Sequence, residues 1–426
     1  MEMVKIRRFS ALGLGLVLIG ALINPAQAAS KLTLADIYNP AKIVRADLTL
    51  PADTVSSLNN KDTYTVYVPG TLALSVDGKT SGNLNIKLRL KGSTSMYSLD
   101  ETPSFKIRFP HSSFPYGYLG LKRMTFNGLV QDTSKLHEFG AYSLFNAMGL
   151  PAPKTGWLRI YINGVDRGLF INVEQPDQTF MEKRFTDITQ HIYEGIADKD
   201  FRLGNDTGTD KTGYFLVDYG WKATPNKRDL SKAINYIADW EPKTWYPGLN
   251  AVFDRTQMIK FFAVENYLGH WDGYTGPDIN NYFIRSNTKG KFSFIPWGAD
   301  QTFGENRGTD ELGDDWTTSM LSDSATHPWS PRAKSRGMIY TKCINYKPCR
   351  TEYLNDLKLV SATVASMKLS TKMMAAAKLI NPVLTVTTKS APVDISGIRV
   401  EQLRTYKFIS KRQAEVAALL KLYGIK

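Results

Sequence analysis

The sequence predicts an α+β chain of two lobes, a β-rich first lobe and a mostly helical second one. Three observations carry that reading. Between residues 64 and 109 the runs YTVYVPG, LALSVDG, LNIKLRLKG and PSFKIRFP alternate apolar with polar residues and are split by Gly, Pro and Asn turns, the mark of an antiparallel sheet. Later in the chain, apolar stripes at helical spacing dominate, in TQMIKFFAVENYLGHW (256–271), in 351–378 and in 398–422. Within that helical half, INNYFIR and KFSFIPW flank SNTKG as a single β-hairpin.

Taken in order, the chain opens with Lys5, Arg7 and Arg8, a short apolar run over 11–23, and Ala26-Gln27-Ala28. That is the pattern of an export signal cut after residue 28, since the run is short of the roughly 20 residues a membrane-spanning helix needs. Residues 29–63 read as linker and strand, with ADLTL as an edge strand, and 64–426 as one large domain whose lobes meet near 190. KRMTFNGL (122–129) gives another strand and turn. Asp132-Thr133-Ser134 then offers N-cap chemistry to a helix striped by Leu136, Phe139, Ala141, Leu144, Phe145 and Met148, which Gly149 and Pro151 end. In WLRIYINGVDRGLFINVEQ the Asn163-Gly164 pair marks a tight hairpin.

A net charge of +13 favours an anionic partner such as a nucleotide, an acidic protein or an anionic glycan. The basic residues are spread along the chain, which argues against a nucleic-acid arm. No stretch after the leader is apolar enough for an integral membrane span. The two cysteines, Cys343 and Cys349, sit six apart in CINYKPC. In an exported chain they read as a local disulfide, and the absence of nearby His argues against a metal site there.

Acids and amides that carry chemistry cluster between 270 and 304. Asp272 follows the helix ending at His270-Trp271, Asn281 opens the hairpin, and Asp300 follows its second strand in IPWGADQTFG. A tight hairpin sets the start of one strand beside the end of the other, so Asn281 and Asp300 are expected to meet and to suit a hard cation such as Mg²⁺. Asp272 is placed to act as a base or to orient a hydroxyl, or else to cap a turn. In the first lobe, KGSTS offers Gly92, Ser93 and Ser95 as a small-residue turn for phosphate, with a plain hairpin turn as the alternative. Lys106, in PSFKIRF, lies on the opposite strand face from Phe105 and Ile107, either solvated or over a nucleotide. Glu138 and Glu174 are the carboxylates available to pair with it.

The order KGSTS, PSFKIRF, MGLPAP, YINGVDRGLFINVEQ, NNYFIR and IPWGADQTFG resembles the CotH family, named after spore-coat proteins with an atypical protein-kinase-like fold, over about residues 64–424 and including the terminal helix with Arg412. The resemblance implies a two-lobed kinase-like fold and ATP-dependent phosphoryl transfer to secreted or surface proteins with Mg²⁺ or Mn²⁺. It also implies Asp272 as catalytic aspartate, Asn281 as the following asparagine and Asp300 as the second acid of a Trp-Asp-x-Asp block. Three positions depart from the family pattern. Gly298 stands for the first acid of that block, Glu101-Thr102-Pro103 lack the usual basic residue, and His137 stands where Arg is frequent.

Two functions follow from different classes. One is an exported phosphotransferase acting on Ser or Thr, in which Asp300 and Asn281 hold the metal, and Lys106 with KGSTS holds the phosphates. The other is an inactive kinase-like protein of surface assembly, which Gly298 and the scarcity of ATP outside the cytoplasm favour. A carbohydrate-active transferase using the same acids is the weaker third, because no acid pair has glycosidase spacing.

Overall fold

The computed structural model describes residues 31–92, 96–195, 199–202, 215–219, 226–238, 242–276, 279–305, 337–384 and 393–426. The export signal expected over 1–28 lies outside the described residues, as do Ser93 and Ser95.

A short helix α1 (Leu34–Ile37) leads into β1 (Ile43–Thr49) and α2 (Ala52–Leu58), followed by β2 (Val68–Val76), β3 (Lys79–Lys91), β4 (Ser104–Arg108) and β5 (Arg123–Asn127). Helix α3 (His137–Ala147) comes next, then β6 (Thr155–Ile162) and β7 (Val165–Val173). These seven strands close into a barrel in the order β1-β2-β3-β4-β5-β7-β6. Alternation along β3 shows how it fills: Leu84, Ile86, Leu88 and Leu90 point inward, while Lys87, Arg89 and Lys91 lie on the other face. Phe105, Ile107, Met124 and Phe126 complete the same interior from β4 and β5. At the β6–β7 turn, Asn163 (φ 48°) and Gly164 (φ 81°) take the left-handed conformations that a two-residue hairpin demands.

The expected edge strand ADLTL is not at an edge. It is the core of β1, which pairs antiparallel with β2 and parallel with β6, from Ile43 opposite Trp157 to Leu48 opposite Ile162. Barrel closure leaves no free edge there, and the half-buried alternation of β1 follows from its central place.

The rest of the chain forms α4 (Gln178–Glu182), β8 (Thr189–Gly195), β9 (Phe215–Tyr219), α5 (Arg228–Ala238), α6 (Pro242–Gly248) and α7 (Arg255–Leu268). It continues with β10 (Tyr282–Asn287), β11 (Phe292–Pro296), α8 (Met338–Asn345), α9 (Lys347–Ser366), α10 (Leu369–Ile380) and α11 (Ile395–Leu422). A second sheet runs β11-β10-β8-β9. The buried apolar side chains fall into two clusters, one inside the barrel and one among the second sheet and the helices. Helix α7 is the hub of the second cluster: it is capped by the Asp254 carboxylate and ended by Gly269 in the left-handed region, and nearly every side chain from Met258 to Leu268 is buried. Cys343 on α8 and Cys349 on α9 form a disulfide, as their spacing predicted. Among the described residues no helix is long and apolar enough to cross a membrane.

Candidate functional site

Two loops are clipped together where α7 meets the end of the second sheet. The Trp271 N–H donates to the Gln301 carbonyl (3.2 Å), the Phe303 N–H donates to the Leu268 carbonyl (2.7 Å), and the His270 Nε2 lies 3.1 Å from the Gly298 carbonyl. Those bonds fix the segment bearing Asp272 against the segment bearing Asp300. The β10–β11 register, Tyr282 opposite Pro296, then sets Asn281 beside Gly298.

Asn281 serves Asp272. Its backbone N–H donates to the Asp272 carbonyl (2.7 Å) and its side-chain amide donates to the Asp272 carboxylate, which the Asn280 amide also reaches at 3.3 Å. Asn281 is expected from the sequence to meet Asp300, but among the described residues no hydrogen bond joins those two. At the Gly298 turn φ is +49° and a Cβ would stand 2.5 Å from the Asn281 Cγ. Asn281 fills the space that a side chain at 298 would need.

Asp300 lies within electrostatic reach of Glu138. Both are buried, and burial holds both carboxyls above the usual carboxylate range; the Asp300 charge adds to the rise at Glu138, the Asp132 charge adds to it at both, and Lys91 pulls both down. Glu138 is the second residue of α3, and its Oε2 accepts from the Asn127 amide at 2.7 Å. The lysine that sees these acids is therefore Lys91, not Lys106. Nor does Glu174 pair with Lys106: its carboxylate holds the Arg184 guanidinium and accepts the Lys154 N–H at 3.1 Å.

Lys106 lines a cleft of about 280 Å³ between the outer face of the barrel and the second sheet. The register sets Arg89 opposite Lys106 and Arg108 opposite Arg123, so strand alternation alone puts four cations on one face. Glu194 on β8, with Tyr67, Gln175 and Phe283, closes the cleft. Burial pushes the Lys106 amine down to about 8; Glu194 opposes the fall, and Arg89, Lys91 and Arg123 add to it. Gly92 ends β3 at a φ of 106°, where the chain turns away.

Sequence reading missed Lys91 and Glu194. Lys91 was legible in principle, because it shares the β3 face of Arg89, two residues away. Glu194 was not, because it reaches the cleft through a pairing of β8 with β10 across nearly ninety residues.

His137 keeps a positive charge at its position in α3. Burial alone would discharge the ring, but the Asp132 and Glu305 carboxylates outweigh that and push it up to about 9. The Asp132 carboxylate also accepts the His137 N–H (2.6 Å) from five residues back, while the N-cap position itself is Leu136 and not one of Asp132-Thr133-Ser134.

A family model described as CotH kinase protein matches residues 88–414. Inner spore coat protein H of Bacillus subtilis is 22% identical over 223 residues, which cover 47% of this chain and 56% of that protein. Invasin CotH2 of Rhizopus delemar is 24% identical over 220 residues, covering 47% of this chain and 35% of that one. The matches thus span about half or less of these relatives' own lengths. The proinflammatory kinase CtkA of Helicobacter pylori aligns over 84% of this chain and 98% of its own at 10% identity, with a TM-score of 0.26. A TM-score that low does not establish a shared fold.

Proposed function

The chain belongs to the CotH kinase protein family, and from that premise we propose that it is an exported, two-lobed, kinase-like phosphotransferase that uses ATP to phosphorylate Ser or Thr of secreted or surface proteins. The observation that carries the reading is that Lys91, which shares the barrel face of Arg89 and adds its charge to the surroundings of Lys106, also acts on Glu138 and Asp300, whose loop is clipped to that of Asp272.

A divalent cation fits the acids. Glu138 and Asp300 are both buried carboxyls raised by burial and by neighbouring carboxylate charge, Asp300 acting on Glu138 and Asp132 on both; Mg²⁺ or Mn²⁺ relieves such crowding and needs only one or two carboxylates besides phosphate oxygens. Asp300 and Glu138 would hold the ion, with the Asn281 Oδ1 as a further oxygen. When bound, the ion supplies charge neutralisation on the phosphates. The chain's own groups do the rest. Lys106 and Arg89 hold the nucleotide's phosphates, and the Gly92 turn covers them. Asp272, aimed by two asparagine amides, orients the acceptor hydroxyl and takes its proton as the hydroxyl oxygen bonds to phosphorus and ADP leaves.

Melting temperature with ATP and Mn²⁺ tests this, because a ligand of the folded state raises it. The wild-type protein should melt higher with both than with either alone, and Asp300→Ala should lose that gain. No gain in the wild type would sink the reading.

Gly298 favours a second reading, an inactive surface-assembly protein that retains the fold, because Asn281 occupies the space where an acid at 298 would stand. Nucleotide binding without transfer would select it.

A further inference from the structure

At the N-terminus of α3, where the Asp300 backbone comes close, four ligand-type atoms converge. The His137 Nδ1 lies 3.0 Å from the Asp300 carbonyl oxygen, 3.2 Å from the Glu305 Oε2 and 3.5 Å from the Asp132 Oδ1. Ligand atoms of Asp132, His137 and Glu305 all lie within 4.8 Å of one another.

The tautomer of the ring is fixed from outside. The Thr405 hydroxyl gives its proton to the Glu401 carbonyl (2.9 Å), so at 2.9 Å from the His137 Nε2 it accepts, and Nε2 carries the N–H. Nδ1 then faces three oxygens, which only a positive charge among them reconciles: a proton on Nδ1, or a metal ion bound to its lone pair. The spacing suits the ion. Ligands about 2.0 Å from a tetrahedral zinc stand roughly 3.3 Å apart, inside the range found here. The surroundings suit it too. A ligating histidine ordinarily donates its other ring N–H to an oxygen, and ligating carboxylates are themselves hydrogen-bonded. The Asp132 Oδ1 accepts the Ser134 hydroxyl (2.8 Å), and the Glu305 carboxylate accepts the Thr133 N–H (3.1 Å).

We propose that Asp132, His137 and Glu305, with the Asp300 carbonyl, form a binding site for one divalent transition-metal ion, Zn²⁺ by its donor set. One imidazole nitrogen among oxygens selects such an ion over Mg²⁺, which takes oxygen and water in near-octahedral order. The site is separate from the Glu138 and Asp300 carboxylates and does not depend on the kinase reading. An ion there ties the turn before α3 to the Asp300 turn, and through Thr405 to α11.

The test is calorimetric titration of chelator-treated full chain with Zn²⁺ alone, without nucleotide. One ion per chain is expected, with affinity weakened more than about tenfold by His137→Gln and by Glu305→Gln. Asp300→Asn, which keeps the carbonyl, should bind within about threefold of wild type, separating this site from the nucleotide's cation. Circular dichroism checks folding. If His137→Gln does not fold, Glu305→Gln decides, since Glu305 is only half-buried at the rim. No binding by the wild type, or undiminished binding by folded Glu305→Gln, overturns the proposal and leaves a proton as the pocket's occupant.

Discussion

At Asp272 the chain fixes a carboxylate before any ligand arrives, with the amides of Asn280 and Asn281 both directed at it. The base proposed here acts mainly in the transition state. Asp272→Ala should therefore cut turnover by about 10²-fold or more and leave nucleotide affinity within a few-fold, by kinetics beside calorimetry. Were Asp272 only a turn cap, its loss would cost roughly 1 kcal/mol of stability and no turnover. Lys106 gives a pH dependence. Its amine is charged below about pH 8 and neutral above. The affinity of the cleft for inorganic triphosphate should then fall between pH 7 and 9, and Lys106→Met should flatten the fall. The sign for stability is opposite. The folded value lies below the ordinary 10.4, so the unfolded chain binds more protons between about pH 8 and 10 and stability rises with pH across that window. Glu194 was out of reach of sequence reasoning because of the topology, whereas Lys91 was legible from the alternation of β3 and was overlooked.

Among the elements, local chemistry was legible and long-range pairing was not. Asn163-Gly164 set the β6–β7 turn, Asp254 and Gly269 bounded α7, and the cysteines found each other within one corner. The parallel pairing of β1 with β6 joins residues over a hundred apart and leaves no local trace in ADLTL. The Gly298 turn shows the same limit, since its departure from the family pattern was visible while its consequence for Asn281 was not. Gly298→Asp should destabilise by about 1–3 kcal/mol in denaturant melts, through the left-handed backbone and the overlap with Asn281. An unchanged melt would show that the turn relaxes freely. Helix α11 holds a buried cation, Arg412, 3.5 Å from Glu415, whose charge burial disfavours, down to about 10. Arg412→Ala should cost about 1–3 kcal/mol, because the Glu415 carboxylate loses its buried partner and keeps the exposed Lys411 3.6 Å away.

Across the whole molecule, the barrel and the second sheet each carry their own apolar core, and the proposed chemistry draws on cations of the barrel's outer face and on acids and amides of the loops beyond α7. The central claim is phosphoryl transfer oriented by Asp272, and intact mass after incubation with ATP and Mn²⁺ tests it most directly. The wild-type chain, or an added acceptor protein, should gain about 80 Da per phosphorylated Ser or Thr, and folded Asp272→Ala should gain none. An equal gain by Asp272→Ala, or a wild type that binds ATP and leaves every mass unchanged, would contradict the account.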